Sequence, residues 1–541
     1  MNHADLQIAI VPFQARLGDI AHNARAILSH LNDEKNKKTD LVIFPELTLS
    51  GYYVRDLYWQ KNFLSTHKKT INHIIANSKN LPAFIIGVAT EKNGRLYNTV
   101  MLIDGGKIIA MRDKYNLPQY DIFDEARYFT PADTQHKYFA KPIEWRGIKW
   151  GVMICEELWQ TTLPPLIKKN GCDVMVVINA SPFEKNKIAK RIVLLKTTAK
   201  KLKTPIIYNN MLGGFDELVL DGHNMVCDKN GNLLDNQFFT NHIMRFTINH
   251  KKLSAHKKNP PPFKPNDQMA QIFSAITLCF GDYLSHNGFD KTIIGISGGI
   301  DSALSLALLV AIYDKKNIDK KNIKAYCLPS QYSSQQSHHD AMLLCENFGI
   351  ALTKIDIAPL YHLFLSHLMI DEMTGKKVSL TAQNLQARIR GVILMASANQ
   401  HHGLLLATGN KSELATGYST LYGDSCGGFN LLKDLYKKDV YQLSHWFNRQ
   451  NFAKIPESIL QKPPTAELSP QQKDSDTLPP YHQLDKTLEK IIENYDKGDK
   501  AIEKLLYLSE YKRNQSPPGP KLTARAFGNG WRLPITNRFN T

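Results

Sequence analysis

Short runs of apolar, β-branched residues follow one another in the first half of the chain, and each ends in a polar or chemically reactive residue. The runs are DLVIFPEL (40–47), AFIIGVAT (83–90), KWGVMICEE (149–157), DVMVVINAS (173–181) and TPIIYNN (204–210). Runs of this length and composition are typical of buried strands, and helix-like stretches lie between several of them. The pattern predicts an α/β domain whose sheet is covered on both faces.

A second series of alternating strands and helices begins at Lys291. KTIIGIS, IKAYCLPS and ALTKIDIA are strand-like, and the segments SALSLALLVAIY and HDAMLLCENFG between them are helix-like. This order predicts a doubly wound parallel sheet, in which ligands bind at the carboxyl ends of the strands.

Between the two series lies KKLSAHKKNPPPFKPNDQ (251–268), which is rich in lysine, proline and asparagine. It predicts an interdomain linker between domains at 1–250 and 269–541, because its proline run permits neither a helix nor a central strand. A chain of 541 residues also exceeds what one hydrophobic core usually organises. After Ile455 the chain becomes proline-rich and charged, which is typical of arms that are flexible or that a ligand orders.

The composition of the chain argues against several classes of protein. The N-terminus passes straight into a strand-like run, so no signal peptide is expected, and no run reaches the roughly 18 apolar residues of a membrane span. Seven scattered cysteines without a C-x-x-C pair predict reduced thiols and a cytoplasmic protein. The net charge of +17 comes from short dispersed lysine clusters, which favours a solvated basic surface over a nucleic-acid groove.

Three reactive residue types occur at or near the ends of strand-like runs in the first domain: Glu46, Lys114 and Cys155. A free cysteine is a weak nucleophile at neutral pH unless a base and a cation favour its thiolate. Glu46 could take the thiol proton, and Lys114 could stabilise the oxyanion that forms when sulfur attacks a carbonyl. Each residue alone also has a plainer interpretation, as a solvated carboxylate, a surface lysine or a buried thiol.

The residues around these three resemble the nitrilase superfamily of carbon–nitrogen hydrolases. The shared motifs, in chain order, are FPEL, KYNLPQYDIFDEARYF, CEELW and NASPF. The resemblance implies an α-β-β-α sandwich with Glu46 as general base, Lys114 as electrostatic partner and Cys155 as nucleophile. It also implies a glutamine pocket, whose expected lining residues are Tyr120, Ser181 and Lys187, with Tyr52 and Glu125 as further candidates.

The segment GISGGIDSAL (295–304) has the sequence of a strand end, a two-glycine turn and a helix start. The lysine with which a Walker-type loop grips the β and γ phosphates is absent, and Asp301 occupies the turn. Because a carboxylate repels phosphates unless a cation lies between them, Asp301 is a candidate magnesium ligand. Ser297, Ser302 and the loop amides could cradle phosphate oxygens at the helix N-terminus. The plainer interpretation is a turn capped by Ser302.

The S-G-G-x-D-S pattern resembles the loop of the ATP pyrophosphatases, which bind the terminal pyrophosphate of ATP and direct attack at its α phosphorus. The further motifs PSQYSS, QNLQARIRG, LLATGNKSELATGY, GGFNLLKDLYKKDVY and KPPTAEL resemble the NAD synthetases. With the first domain in front, nearly the whole chain resembles their glutamine-dependent members. The resemblance implies ATP as co-substrate, Mg²⁺ as cofactor, and deamido-NAD and glutamine as the other small-molecule substrates.

The same resemblance implies roles for residues of the second domain. The expected ATP contacts are Gly295, Ile296, Ser297, Gly298, Gly299, Ile300, Asp301, Ser302, Thr408 and Lys437. The expected deamido-NAD contacts are Asn384, Glu413 and Lys521, with Arg388 and Asp424 as further candidates. The expected magnesium ligands are Asp301 and Glu413. Lys521 belongs to the PGPKLTAR tail, which we expect to fold over the dinucleotide.

The resemblance further implies a reaction course. ATP adenylates the nicotinate carboxylate of deamido-NAD, and ammonia released from glutamine at Cys155 reaches the adenylate through an internal tunnel. At least a homodimer is expected. Three positions depart from the family pattern and leave substrate contacts open: Glu157 in place of Asp, Phe215 in place of a polar residue, and Gln383 in place of Glu.

Two alternatives remain open from the sequence. Another amidating ATP pyrophosphatase, such as a GMP synthetase, also pairs a glutaminase with a synthetase, although its glutaminase resembles a different type. A tRNA-modifying ligase would use the same loop and suit the positive charge. That alternative predicts a basic appended domain that bears aromatic residues, and none is evident along the chain.

Overall fold

The computed structural model describes residues 5–135, 139–249, 252–256, 261, 264–375, 377–537 and 539. The chain divides into two units, Met1–Gln268 and Met269–Thr541. Each unit has its own sheets and its own hydrophobic cores.

Strands dominate the N-terminal unit. In chain order they are β1 (Leu6–Ile10), β2 (Leu41–Ile43), β3 (Ala83–Lys92), β4 (Arg95–Asp104), β5 (Lys107–Asp113), β6 (Ile143–Trp145), β7 (Ile148–Ile154), β8 (Val174–Asn179), β9 (Ile206–Asn210), β10 (Leu212–Phe215), β11 (Leu218–Asp221), β12 (Asn224–Cys227), β13 (Leu233–Gln237), β14 (Met244–Asn249) and β15 (Lys252–Ala255). The α-helices are α1 (Ile20–Asn36), α2 (Lys61–Asn77), α3 (Leu163–Lys169) and α4 (Lys187–Leu202).

Within the described residues, these strands form two main sheets. Their orders are β15-β14-β1-β2-β3-β4-β5 and β13-β12-β9-β8-β7-β6. The centres of both sheets are parallel, since β1, β2 and β3 run together in one and β7, β8 and β9 in the other. The carboxyl ends of each parallel set therefore lie at one edge of its sheet.

Alternation of side chains along these strands divides the unit into layers. Ile8, Ile43 and Ile85 of the first sheet share one core with Val152 and Val176 of the second, so the two sheets pack face to face. The opposite side chains, which point to the outer faces, pack against α1 and α2 on one side and against α3 and α4 on the other. The predicted α-β-β-α sandwich is confirmed.

One part of the predicted linker is a strand. Lys252–Ala255 pairs antiparallel with β14, and Leu253 packs against the core between the sheets. Four residues with a single large apolar side chain give no periodic signal, so the lysine-rich and proline-rich composition of the whole segment suggested a linker. Residues 250–251, 257–260 and 262–263 of this region lie outside the described residues.

The C-terminal unit alternates helices and strands. Its helices are α5 (Gln268–Asn287), which begins one residue before the unit, α6 (Ile300–Lys316), α7 (Gln335–Phe348), α8 (Ala358–His367), α9 (Leu380–His401), α10 (Lys411–Thr416), α11 (Lys437–Asn448), α12 (Glu457–Gln461), α13 (Tyr481–Asn494), α14 (Lys500–Leu508) and α15 (Glu510–Arg513). Its strands are β16 (Thr292–Gly295), β17 (Ile323–Cys327), β18 (Leu352–Lys354), β19 (Met373–Thr374), β20 (Lys377–Val378), β21 (Leu404–Ala407), β22 (Phe429–Asn430), β23 (Ala526–Phe527) and β24 (Gly530–Trp531).

The main sheet of this unit, as far as the chain is described, has the order β18-β17-β16-β21-β22, and every neighbouring pair is parallel. The predicted parallel sheet is confirmed. The chain builds outward from β16 to β18 on one side and then crosses to β21 and β22 on the other. The carboxyl ends of β16 and β21 therefore flank the switch point where open α/β sheets bind ligands.

The segment after Ile455, predicted to be a flexible or ligand-ordered arm, folds against the C-terminal unit. The helices α13 and α14 bury Leu484, Leu488, Ile492 and Leu506 in one cluster, which also contains Trp531 near the chain end. The proline-rich composition suggested an irregular segment, but the prolines lie outside these two amphipathic helices. Among the helices of the described residues, none is long and apolar enough to cross a bilayer.

Candidate active sites

The predicted triad of the N-terminal unit lies where strands end. Glu46 follows β2 by three residues, Lys114 follows β5 directly, and Cys155 follows β7 directly. Cys155 has a φ of 48°, a left-handed conformation that is uncommon for a residue with a Cβ. A backbone held in such a region is typical of functional sites, where the surrounding structure sustains the strain.

Glu46 is fully buried, and its carboxylate accepts three hydrogen bonds. Lys114 Nζ donates to Oε1 over 2.8 Å, Asn98 Nδ2 donates to the same oxygen over 2.7 Å, and the Ala180 amide donates to Oε2 over 3.0 Å. Behind Glu46, a Cβ on Gly87 would lie 2.6 Å from its Cα, so only glycine allows β3 to approach this closely. The orientation of the candidate base is therefore fixed from several sides.

Lys114 is a buried ammonium shared by two carboxylates. Its Nζ lies 2.8 Å from Glu46 Oε1 and 2.7 Å from Glu125 Oε1. Burial alone would lower the pKa of Lys114, but Glu125 and Glu46 outweigh burial and raise it. Lys114 is therefore a permanent positive charge in this site.

Glu125, a further candidate of the sequence, belongs to the same cluster. Tyr52 donates from its hydroxyl to Glu125 Oε1 over 3.0 Å, and no described residue forms a hydrogen bond with the buried Oε2. Burial and the nearby Glu46 raise the pKa of Glu125 to about 7, although Lys114 acts against them. Because the unpartnered oxygen can carry a proton, Glu125 can be neutral beside the Lys114 ammonium.

Cys155 is a thiol at rest. Burial is the largest cause that raises its pKa well above the ordinary value, and Glu46 raises it further while Lys114 lowers it. A thiol with a raised pKa must lose its proton during attack, and a neighbouring carboxylate is suited to accept it. The arrangement can support nucleophilic attack by sulfur with Glu46 as general base.

The three residues predicted to line the glutamine pocket have different surroundings. Tyr120 is half-exposed and donates from its hydroxyl to Glu156 Oε2 over 2.7 Å. Ser181 is buried beside Ala180, whose amide holds Glu46. Lys187 begins α4 and lies 3.7 Å from a carboxylate oxygen of Glu184.

Two positions that depart from the family pattern now have structural contexts. Glu157 is fully buried, forms an ion pair with Arg112, and accepts hydrogen bonds from the amides of Ile154 and Tyr115, both over 2.7 Å. These amides adjoin Cys155 and Lys114, so Glu157 supports the backbone of two triad members. Phe215 is buried in the hydrophobic core between the first sheet and its helices.

The glycine-rich loop of the C-terminal unit connects β16 to α6. Gly298 has a φ of +78°, and a Cβ there would lie 2.2 Å from the Ser337 carbonyl oxygen. The Ser297 and Ser302 hydroxyl oxygens lie 3.1 Å apart, and the Gly299 amide donates to Ser297 Oγ over 3.2 Å. The loop therefore places small side chains and amides at the N-terminus of a 17-residue helix, where the helix dipole favours an anion.

A second buried lysine lies between two carboxylates beside this loop. Lys437 Nζ lies 2.6 Å from Asp301 Oδ2 and 3.3 Å from Glu413 Oε1. Asn410, the N-cap of α10, donates from its side chain to Asp301 Oδ1 over 2.9 Å and from its amide to Glu413 Oε2 over 3.2 Å. The structure thus brings together Asp301, Glu413 and Lys437, three of the residues to which the sequence analysis assigned roles.

The electrostatics of this cluster stabilise the charge of Lys437 and oppose full ionisation of Glu413. Burial raises the pKa of Glu413 to about 8, with Lys437 acting against it and Asp301 adding to it. Burial would lower the pKa of Lys437, but Asp301 and Glu413 outweigh burial and raise it. Two oxygen donors of this kind also fit magnesium, which usually binds through one or two carboxylates together with phosphates and waters.

A cavity of about 620 Å³ adjoins the cluster. Most of the predicted ATP and deamido-NAD residues line it, together with Gln383, Arg388 and Asp424: Gly295, Ile296, Ser297, Gly299, Ile300, Asp301, Ser302, Asn384, Thr408, Glu413 and Lys437. Gly298 is absent from the lining because it turns toward α7. Lys521 is absent as well, since it is buried and donates to the carbonyls of Thr523 and Ala524 in its own tail.

Other residues of the cavity wall had no predicted role. Glu467 accepts hydrogen bonds from the Ser334 and Ser337 hydroxyls over 2.8 and 2.6 Å, and Lys462 binds Ser337 as well. Lys462 and Glu467 belong to the motif KPPTAEL, and Asn410 belongs to LLATGNKSELATGY. The motifs were therefore visible in the sequence, but the roles of individual residues depended on contacts between distant segments.

Comparison with known proteins identifies the family. Residues 6–258 match the carbon–nitrogen hydrolase family, and residues 272–516 match the NAD synthase family. The glutamine-dependent NAD(+) synthetase of Thermotoga maritima is 35% identical over 99% of this chain and 99% of its own length. The corresponding enzyme of Acinetobacter baylyi is 35% identical over 98% of both.

The chain belongs to the glutamine-dependent NAD(+) synthetase family. A solved structure of the Acinetobacter baumannii family member, in complex with adenosine diphosphate, has a TM-score of 0.78 and 31% identity over 98% of this chain and 99% of that one. The structure of a Cytophaga hutchinsonii glutamine-dependent NAD(+) synthetase has a TM-score of 0.82 and 19% identity, which supports the fold. The predicted enzyme class, a carbon–nitrogen ligase that uses glutamine, is confirmed.

The geometry of the glycine-rich loop yields a test. In Gly298→Ala the new Cβ meets the Ser337 carbonyl in a left-handed conformation, at a cost of about 1–3 kcal/mol from backbone strain alone. We expect synthesis to fall about 5- to 150-fold at limiting ATP, with glutamine or ammonium as nitrogen source, because about 1.4 kcal/mol corresponds to a tenfold change in rate. Steady-state rates against ATP concentration measure the effect.

Gly299→Ala is the matched control for that variant. Gly299 has no left-handed φ, and a Cβ there meets only the Ser297 hydroxyl at 3.3 Å, which can rotate away. A loss in Gly299→Ala equal to that in Gly298→Ala would show that the loop tolerates no side chain at all and would contradict this account.

Proposed function

We propose that the chain converts deamido-NAD to NAD in two linked reactions, hydrolysis of glutamine at Cys155 and ATP-driven amidation at the glycine-rich loop. One observation carries the proposal: a cysteine beside a buried Lys114–carboxylate cluster and a glycine-rich loop beside a buried Lys437–carboxylate cluster occur in the same chain. Family membership over the full length supports the combination.

In the first reaction, Glu46 takes the proton of the Cys155 thiol as the sulfur attacks the side-chain carbonyl carbon of glutamine. The oxyanion that forms lies near the Lys114 ammonium, which stabilises it. Collapse of the intermediate breaks the carbon–nitrogen bond, and the nitrogen leaves as ammonia after it takes up the proton. Water, deprotonated by Glu46, then hydrolyses the thioester and releases glutamate.

In the second reaction, the nicotinate carboxylate of deamido-NAD attacks the α phosphorus of ATP, and pyrophosphate leaves. The loop from Gly295 to Ser302, with Thr408, would hold the phosphates, while Asn384 and Glu413 would contact deamido-NAD. Ammonia then attacks the acyl carbon of the mixed anhydride and AMP departs, which forms the amide of NAD. Lys437 neutralises phosphate charge during both displacements.

Magnesium fits the cavity as a partner of ATP. Asp301 and Glu413 would hold it, because their carboxylates converge on one cation position that Lys437 shares. When bound, the ion would offset phosphate charge and make pyrophosphate a better leaving group. The carboxylate of Asp301, which would repel bare phosphates, thereby gains a function.

Ammonia must reach the second reaction in its unprotonated form, because ammonium is not a nucleophile. We therefore propose that an internal tunnel carries it from the Cys155 site to the adenylate. The full burial of Glu46 and Lys114 supports a first site from which bulk water is largely excluded. The same reasoning favours some coordination of the two reactions.

We also propose that the enzyme is at least a homodimer in the cytoplasm. Apolar side chains on and after α8 are strongly exposed, among them Leu363, Leu368 and Met369, and Leu380 and Val392 on α9 add to them. Exposed apolar patches of this kind commonly mark association surfaces. All seven cysteines are free thiols, in agreement with a reducing compartment.

The division of labour is tested by Cys155→Ala. We expect glutamine-supported formation of NAD and AMP from deamido-NAD, ATP and magnesium to be abolished, while ammonium-supported formation remains, because only the first reaction needs the sulfur. Cys172→Ala, at a buried free cysteine on the same unit, is the control. Loss of both activities in Cys155→Ala, with the control active, would refute the assignment.

The metal assignment is tested by Asp301→Asn, which keeps size and polarity but removes one charge. Synthesis should fall at least about 100-fold with either nitrogen source, because charge stabilisation of the transition state is worth several kcal/mol. The magnesium concentration for half-maximal rate should rise. Asp314→Asn on the exposed end of α6 is the control, and an unchanged magnesium dependence in Asp301→Asn would remove the residue from the metal site.

The dimer is tested by Leu363→Asp. The side chain is 60% exposed, so the substitution should leave the fold intact, while a buried carboxylate at a subunit interface is strongly unfavourable. The mass in solution, measured by light scattering, should fall to that of a single chain. If the mass stays at a multiple of 61.4 kDa, the subunits associate through another surface.

A further inference from the structure

Arg191 is a buried cation in the N-terminal unit to which the reaction gives no role. Its side chain is 1% exposed, and its Nη2 donates to the carbonyl oxygens of Ser181 and Pro182, both over 2.8 Å, and to Ser181 Oγ over 3.0 Å. All three acceptors belong to the segment 180–182, which leaves the carboxyl end of β8. The guanidinium therefore holds this one short segment.

Asp221 and Asn210 complete the same network. Asp221 Oδ2 lies 2.5 Å from Arg191 Nη1, and Asn210 Nδ2 donates to Asp221 Oδ1 over 2.8 Å and to the Ser181 carbonyl over 3.0 Å. The Ser181 amide donates to Asn210 Oδ1 over 2.8 Å. Each of these side chains is buried, so the peptide groups of the segment are fixed by four elements: β8, β9, β11 and α4.

The segment 180–182 contacts the proposed glutaminase site at two points. The Ala180 amide donates to Glu46 Oε2 over 3.0 Å and so orients the general base. Ser181 is one of the residues expected to line the glutamine pocket. Lys187, also expected there, lies one turn before Arg191 on α4. Movement of the segment would therefore displace the base and the pocket together.

We propose that the Arg191–Asp221 pair is a positioning unit of the glutaminase site, which holds the segment 180–182 so that Ala180 orients Glu46 and Ser181 faces the substrate. The inference rests on the proposed function of Cys155 and assigns no contact with substrate to the pair itself. It concerns the first reaction and leaves amidation with free ammonium untouched.

Stability alone does not account for this pair. A buried ion pair can often be replaced by apolar residues of similar volume without loss of stability, because desolvation offsets much of the attraction. Apolar residues cannot replace the planar guanidinium of arginine, whose N–H groups donate to several acceptors in fixed directions. Here those acceptors are the carboxylate of Asp221 and the backbone of the segment next to Glu46.

Arg191→Lys tests the proposal, because it keeps the positive charge and removes the planar guanidinium. In the full-length enzyme we expect glutamine-supported kcat to fall about 10- to 100-fold, since small misplacements of a reacting group have effects of this order. Ammonium-supported synthesis should equal that of the unmodified enzyme. NAD formation from deamido-NAD, ATP and magnesium, with each nitrogen source in turn, is the measurement.

The division of the effect between kcat and KM separates positioning from a merely structural role. If the Ala180 hydrogen bond loosens, the general base is misplaced for the chemical step, so glutamine-supported kcat should fall. The KM for glutamine should rise at the same time, because Ser181 moves with the segment. A loss of folded protein alone would lower the apparent rate and leave the KM for glutamine unchanged.

Arg245→Lys is the matched control. Arg245 forms an ion pair with the buried Glu34 in the same unit, with Nη2 2.5 Å from Oε1 and Nε 3.1 Å from Oε2, and it also donates to the Ile243 carbonyl. Arg245→Lys loses a comparable guanidinium and should keep the glutamine-supported kcat and the KM for glutamine of the unmodified enzyme. Equal glutamine-supported kcat in Arg191→Lys and Arg245→Lys would overturn the proposal.

Two further variants make the outcome decisive. If Arg191→Lys does not accumulate as folded protein, Asp221→Asn asks the same question with an isosteric side chain, and an unchanged kcat there overturns the proposal. Cys155→Ala, measured in parallel, separates the two levels of inference. Retained glutamine-supported activity in Cys155→Ala would refute the glutaminase assignment, whereas its loss beside a fully active Arg191→Lys would refute only the positioning role.

Discussion

A buried lysine ammonium shared between two carboxylates is the interaction on which both sites depend. In the N-terminal unit Lys114 lies between Glu46 and Glu125, and in the C-terminal unit Lys437 lies between Asp301 and Glu413. A charge removed from water is tolerated only when it is paired and hydrogen-bonded, so each cluster fixes three side chains from distant parts of the chain at once. Removing one member leaves an uncompensated buried charge, so each cluster tolerates substitution poorly.

The folds explain how such distant residues meet. Parallel strands end at the same edge of their sheet, and Asp301 and Glu413 follow the neighbouring strands β16 and β21 of one sheet. Glu46 and Cys155 follow β2 and β7, which belong to the two sheets that pack face to face. Local chemistry then sets the fine geometry. Asn410 caps α10 and simultaneously orients Asp301 and Glu413, and Glu157 supports the amides beside Cys155 and Lys114. These neighbours decide which oxygen faces the cation.

Short motifs made the main features predictable. The apolar runs located the central strands. Taken alone, Glu46, Cys155 and Asp301 each had a plainer interpretation, and the longer motifs around them indicated the residues of both clusters. The misses have a common cause. The strand Lys252–Ala255 and the contacts of Asn410 depend on pairing with distant segments, which no local pattern indicates. Periodicity describes a residue's own element, whereas contacts between elements decide what its side chain binds.

In both clusters burial raises the pKa of one carboxylate, Glu125 or Glu413, and what differs is the surroundings in which each lysine acts. At the first site Glu125 carries an unpartnered oxygen and a pKa of about 7, so one proton can neutralise it and leave Lys114 to Glu46 and to an oxyanion. At the second site Asp301 and Glu413 face a cavity expected to receive a triphosphate, whose charge the single ammonium of Lys437 cannot offset while it also neutralises a carboxylate. In the proposed reaction a divalent cation would resolve this conflict, because it would be held by the same carboxylates and would leave Lys437 to the phosphates. On that proposal, α11 and the metal would together supply the positive charge that the glycine-rich loop, which has no lysine, does not supply.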